Sequence, residues 1–168
     1  MAIVTSAEAG RRAAPRATIL QLRAPQATAR TIFEEAASLV ATSPVPVVIS
    51  SRCDIAISAG AAGVHLPEND IPVAAARTLM GERLVGRSVH SLESAIRAES
   101  QGADYVVFGP VWSSASHPGS EPAGIGALSE VAHALHIPVL AIGGVTAERV
   151  AECHTAGAAG YAAIGMFA

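Results

Sequence analysis

At 168 residues the chain is long enough for one domain with a substantial core and short for two, so one domain over 1–168 is expected. Hydrophobic residues make up 51% of it and aromatics only 4%, which suits strands covered by helices, while a net charge of −3 with no arginine stripe argues against nucleic acid. No apolar run reaches membrane-spanning length and the first residues lack signal-peptide order, so a cytoplasmic enzyme with no membrane partner is expected.

Taken in chain order, apolar and β-branched runs predict strands at 2–6, 18–23, 45–51, 63–66, 84–90, 105–111, 139–143 and 161–165. Helical periodicity fills 28–42, 54–59, 73–80, 92–100, 127–135 and 147–156. Ser91 and Thr146 stand where N-caps belong, and Gly60, Gly81, Gly102 and Gly157 stand where helices should end. Gly60-Ala-Ala-Gly-Val, Gly102-Ala-Asp-Tyr-Val and Gly157-Ala-Ala-Gly-Tyr repeat one solution for passing from a helix into a strand. Strands and helices alternating in this way predict an α/β fold, specifically a (β/α)8 TIM barrel; no G-x-G-x-x-G follows the first strand to favour an open sheet.

The barrel is expected in a short form. Pro15 and the adjacent Arg11 and Arg12 crowd the segment between the first two strands, so the first helix should be vestigial. Only three residues follow the last predicted strand, so the last helix should be missing. Both gaps fall on one side, and a homo-oligomer with its contact near strands 8 and 1 is expected to cover it.

Chemistry in such a barrel gathers at the C-terminal ends of the strands. Those ends carry Gln21 and Arg23, then Ser50, Ser51 and Arg52, then His65, Glu68 and Asp70, then Ser88 and His90. The loop after the sixth strand carries Ser113, Ser114, Ser116 and His117, and Gly143, Gly144 and Gly165 close the circle. Glycine lets backbone N–H groups approach an anion, so the last three are candidate phosphate-binding positions. Histidines at the rim suit proton transfer near neutral pH, which makes His90 and His117 candidate catalytic residues. Arg52 can equally pair with Asp54, and His133 and His136, spaced i, i+3, lack a third metal ligand. All eleven basic residues are arginine, so Schiff-base chemistry on lysine is excluded. Cys53 and Cys153 match no metal or redox spacing and read as buried thiols.

In order, Gln21-Leu-Arg23, Arg52-Cys-Asp54, Gly63-Val-His65-Leu with Asp70, and Gly86-Arg-Ser88-Val-His90-Ser resemble the thiamin phosphate synthase and TenI-like superfamily. Gly102-Ala-Asp104-Tyr, Gly109-Pro110-Val and Ala141-Ile-Gly143-Gly144 extend the resemblance over nearly the whole chain. It implies thiamin metabolism, with a synthase joining a pyrimidine methyl pyrophosphate to a thiazole phosphate, or a tautomerase aromatising a thiazole carboxylate phosphate. Against the synthase pattern, Pro25 stands at a lysine position, Ser50-Ser51-Arg52 replaces Asn-Asp-Arg, and Ser114-Ala-Ser116-His117 replaces Thr-x-Thr-Lys. Against the tautomerase pattern, Pro110 stands where a histidine is expected. The reading favoured here is a TenI-like protein that binds a heterocyclic phosphate, with His90 as proton shuttle and His117 beside it. Gln21, Arg23, Ser50, His65, Ser88, Ser114 and Ser116 would bind the substrate, and Gly143, Gly144 and Gly165 its phosphate. This reading needs no cofactor. The alternatives are a synthase using Mg²⁺ at Asp70 with its pyrophosphate substrate, and a non-catalytic barrel that binds a phosphate ligand.

Overall fold

The computed structural model describes residues 1–113 and 121–167. Strands β1 (Ala2–Val4), β2 (Leu20–Leu22), β3 (Val47–Ser50), β4 (Gly63–Leu66), β5 (Leu84–Val89), β6 (Tyr105–Phe108), β7 (Val139–Ala141) and β8 (Gly160–Tyr161) form one parallel sheet in sequential order. Between them run α1 (Ala7–Ala13), α2 (Ala29–Thr42), α3 (Cys53–Ser58), α4 (Val73–Met80), α5 (Leu92–Ser100), α6 (Gly124–Ala134) and α7 (Val150–Thr155). The ring closes where the Ile3 N–H donates to the Ala163 carbonyl at 3.0 Å and the Ala163 N–H donates to that of Met1 at 3.2 Å. This is the expected (β/α)8 barrel.

Period-two alternation divides the apolar side chains. Leu20, Leu22, Ile49, Val64, Leu66, Val85 and Phe108 point outward into the main core with the helices. Ile3, Val48, Tyr105, Val107 and Ala162 form a separate cluster inside the barrel. Aromatic residues are few, so glycine placement decides how the interior fills. Tyr105 pairs in register with Gly86, where an added Cβ would fall 2.1 Å from the ring Cζ. The bare inner face of β5 thus receives the tyrosine ring.

One expectation is corrected. The first helix is a formed two-turn helix, capped by the Ser6 side chain accepting from the Ala9 N–H at 3.2 Å. Gly10 gives it a close seat on α2, since a Cβ there would sit 2.5 Å from Leu39 Cδ1. Pro15 lies in the following 3₁₀ turn, Ala14–Arg16, beyond the helix it was expected to prevent. With α1 in place, Ala2, Val4 and Leu20 are buried within the chain, so the gap expected over β1 does not exist. On the β8 side a 3₁₀ turn, Gly165–Phe167, follows the strand and stacks Phe167 on Tyr161. Arg16 ties this turn to the N-terminal unit by donating to the Phe167 carbonyl at 3.0 Å. At this end Ile164 is 48% exposed.

The repeated helix-to-strand loops share their geometry, with Gly60, Gly102 and Gly157 at φ of +69°, +91° and +94°. Around Gly102, Arg77 donates to the carbonyls of Gly81, Arg83 and Gly102 and to the Asp104 carboxylate, which itself accepts from the Val85 N–H at 2.7 Å. One guanidinium so pins two loops at the foot of the barrel.

Filling the seat of the Tyr105 ring should be costly. Gly86→Ala is expected to lower unfolding stability by about 2–3 kcal/mol in urea titration, in the range of core overpacking. Combined with Tyr105→Leu, which vacates that space, the pair should lose less than the sum of the two single changes.

Candidate functional site

The upper inner face of the barrel is polar, and its groups are paired across strands. Gln21, 4% exposed, donates from Nε2 to Ser50 Oγ at 2.7 Å. On the next strand His65 is fully enclosed, with Nδ1 3.2 Å from Tyr105 Oη and Nε2 2.9 Å from Ser88 Oγ. Burial first, and the nearby Arg87 guanidinium second, push the His65 pKa down to about 3. The ring is therefore neutral at physiological pH and cannot serve as a base there by becoming imidazolium. Its single proton sets the role of Ser88. When Nε2–H donates to Ser88, the hydroxyl proton is free for a ligand; when Nε2 accepts, the ligand meets lone pairs. Burial also holds the Tyr105 phenol well above its ordinary pKa, so it stays protonated.

The second cluster lies at the mouth between β4, β5 and β6. Arg87 projects behind the sheet and donates to the backbone carbonyls of Ile71 at 2.7 Å and of Glu68, fixing the loop after β4. That loop presents Glu68, which accepts from the His90 N–H at 3.2 Å and sits 3.7 Å from His90 Nε2. His90 Nδ1 hydrogen-bonds the Gly109 carbonyl, so that nitrogen must carry the proton. Asp70 Oδ1 accepts from the Ile71 N–H at 2.7 Å. Ser51, at φ +63°, occupies the left-handed region that a serine rarely adopts, its N–H held by the His65 carbonyl.

The third cluster is made of backbone. Gly143 and Gly144 have φ of +89° and +66°, and a Cβ on either would lie within 2.7 Å of the segment after β6. Among the described residues their N–H groups donate to no carbonyl. Nothing lies within 4 Å of the Cβ position of Gly165, which opens the last 3₁₀ turn.

The structure thus brings Gln21 to Ser50 and His65 to Ser88, and places His90 and Asp70 on neighbouring loops. The Arg23 side chain is exposed and has no partner among the described residues, whereas Arg52 is spent on a bidentate pair with Asp54. Ser114, Ser116 and His117 lie outside the described residues. Ser91 caps α5 in a reciprocal box with Ser94, but the Thr146 side chain makes no cap bond. His133 bonds back to the Ser129 carbonyl at 2.7 Å and His136 lies near Glu99, so the pair is divided; among the described residues no three potential metal ligands gather. Sequence reasoning missed Tyr105, the attachment of Glu68 to His90, and Arg87. None of the three has a local signal, because each is joined to the site by a neighbouring strand.

Residues 4–167 match the family model described as thiamine monophosphate synthase. A protein named putative thiamine-phosphate synthase 2, from Aquifex aeolicus (strain VF5), is 38% identical over 152 residues, covering 89% of this chain and 82% of its own. A thiamine-phosphate synthase from Chloroflexus aurantiacus is 37% identical over 152 residues, covering 88% of this chain and 70% of its own. Among solved structures, thiamine phosphate pyrophosphorylase from Pyrococcus furiosus superposes with a TM-score of 0.87 at 29% identity, covering 97% of this chain and 84% of that one.

The depressed His65 pKa has a stability consequence. The unfolded chain takes up a proton on this residue below about 6.5, and the native state does not until about 3. His65 therefore contributes its full stabilisation above 6.5 and loses it progressively as pH falls toward 3. Urea titrations should find about 2 kcal/mol lost through this residue between pH 7 and pH 5. His65→Gln should flatten that slope by about one proton. A native His65 ring signal titrating near pH 6 by NMR would contradict it.

Proposed function

This chain belongs to the thiamine monophosphate synthase family, and from that premise we propose that it joins a pyrimidine methyl pyrophosphate to a thiazole phosphate. The bond from the pyrimidine methylene carbon to the pyrophosphate oxygen breaks, its electron pair leaving on oxygen. The thiazole nitrogen gives its lone pair to that carbon, so thiamin phosphate and pyrophosphate are the products. The observation that carries this reading is the set of names borne by the relatives, which point to the synthase, the alternative in the sequence reading, rather than to the tautomerase.

The rim supports a division of labour. Gln21, Ser50 and Ser88 offer side-chain donors and acceptors for a ring, with Ser88 able to do either through His65. The backbone N–H groups of Gly143 and Gly144, with the open Gly165 turn, suit the thiazole phosphate. The pyrophosphate falls to the opposite side, near Arg23 and Asp70. A magnesium ion would neutralise charge on the leaving group there; Asp70 Oδ2 is the protein ligand on offer, so pyrophosphate oxygens and water would supply most of the shell.

A second reading keeps the tautomerase. It is favoured by His90, whose side chain is 55% exposed at the mouth with Nε2 facing the Glu68 carboxylate. There His90 would move a proton on a thiazole ring, with no pyrophosphate released.

The two part in one assay. With both substrates and Mg²⁺, the chain should release pyrophosphate and form thiamin phosphate, read by coupled phosphate release and by fluorescence after oxidation to thiochrome. Asp70→Asn should lower kcat/KM on the order of 100-fold, as loss of leaving-group charge stabilisation does. Isomerisation of a thiazole carboxylate phosphate without pyrophosphate release would give the second reading instead.

A further inference from the structure

Two consecutive glycines in the left-handed region are entropically expensive to hold. The 3₁₀ turn that follows, Ala147–Arg149, gives no help, because it has no side-chain cap. Yet three successive carbonyls of this segment are tied. The Ile142 carbonyl accepts from the Val111 N–H at 2.8 Å, and the Gly143 carbonyl accepts from the Trp112 N–H at 3.0 Å. The Gly144 carbonyl accepts from the Arg149 guanidinium at 2.7 Å. Pulling the carbonyls to one side leaves the Gly143 and Gly144 N–H groups on the other, the concave arrangement that takes an anion.

The third tie is the informative one. Arg149 Cζ lies 4.9 Å from the centroid of the Trp112 ring, so the guanidinium plane is braced by an aromatic face. Trp112 in turn packs on the glycine pair, and a Cβ at Gly144 would stand 2.7 Å from Trp112 Cβ. Among the described residues Arg149 lies within ion-pair distance of no carboxylate; its neighbour Glu148 is bonded to the Thr146 hydroxyl. The Arg149 bond fixes the peptide between Gly144 and Val145 and so holds the exit of the glycine pair, while the Val111 and Trp112 ties orient the peptides that carry the Gly143 and Gly144 N–H groups.

We infer that Arg149, braced on Trp112, is a positioning residue that locks the Gly143–Gly144 loop in its anion-receiving shape and thereby sets the preference for a phosphorylated ligand. This rests on the phosphate placement proposed above. A chain with no lysine has reason to use arginine here: one guanidinium can donate to a carbonyl and stack on a ring at once, and an ammonium cannot.

Calorimetric titration of the whole chain with thiazole phosphate, the unphosphorylated thiazole alcohol and inorganic phosphate tests it. Arg149→Ala should weaken thiazole phosphate on the order of 30-fold, with a parallel loss for inorganic phosphate and less than about 3-fold change for the alcohol. In turnover the loss should fall on KM for the thiazole phosphate and leave kcat nearly unchanged. Trp112→Ala should act in the same direction, Trp112→Phe should restore most of it, and the double alanine change should be no worse than Arg149→Ala. Arg149→Lys should recover little, since it lacks the plane. Equal losses for alcohol and phosphate, or unchanged phosphate affinity in a folded Arg149→Ala protein, would overturn the inference. Wild type that binds phosphate without turnover would overturn the synthase reading alone, and wild type that binds none of the phosphates would overturn both.

Discussion

Closure of a parallel barrel through very short strands is the constraint on which the rest of the molecule depends. Several strands are only two to four residues long, so each contributes one or two inward side chains before the chain turns back. The register then decides the site. Ser50 lies beside His65, and His65 beside Gly86, so the polar groups of β2 to β5 form a continuous arc. The bonds of Ala163 to Ile3 and Met1 keep the two ends of that arc, and the glycine loop after β7, in one ring. Slipping one strand by a single residue would turn His65 or Ser88 outward into an apolar layer, where an unpaired polar group is costly.

The second theme is what eleven arginines do in a chain with no lysine. Arg77 holds two loops at the foot of the barrel, Arg87 holds the loop after β4, and Arg149 holds the loop after β7. Each donates to main-chain carbonyls, where a forked guanidinium reaches several acceptors at once. Arg52 is taken by Asp54. That leaves Arg23 as the cation of the rim with no partner among the described residues, so in the proposed reading the charge on the pyrophosphate side is sparse and the phosphate would be met by backbone.

Much of this was legible in the sequence, and the reasons are local ones. The eight apolar runs, the glycine-closed helix ends and the Gly143-Gly144 pair each show their physics within a few residues, and each is where it was expected. The helix α1 was not legible, because Pro15 and two arginines look like breakers until Gly10 is seen to need contact with Leu39, far along the chain. His65 was legible as a rim residue, but its neutrality was not, since that follows from complete enclosure and from Arg87 on the neighbouring strand. Glu68 was legible as a strand-end carboxylate, but its attachment to His90 was not. The common feature of the missed items is a partner on another β/α unit, which spacing along one unit cannot reveal.

The two sides of the mouth also differ in what kind of change they tolerate. On the β2 to β5 side, recognition rests on side chains held in pairs, so a substitution there alters which ring edge is read while the strands remain paired. On the β7 side, the proposed recognition would rest on main-chain N–H groups of a loop whose carbonyls are tied. Such a seat carries no side-chain specificity of its own and depends on the loop's shape being enforced from outside. In the proposed reading, a barrel that exchanges its ring-reading residues would therefore keep the same phosphate seat, and altering the brace would weaken anion recognition without touching the residues that face the ring.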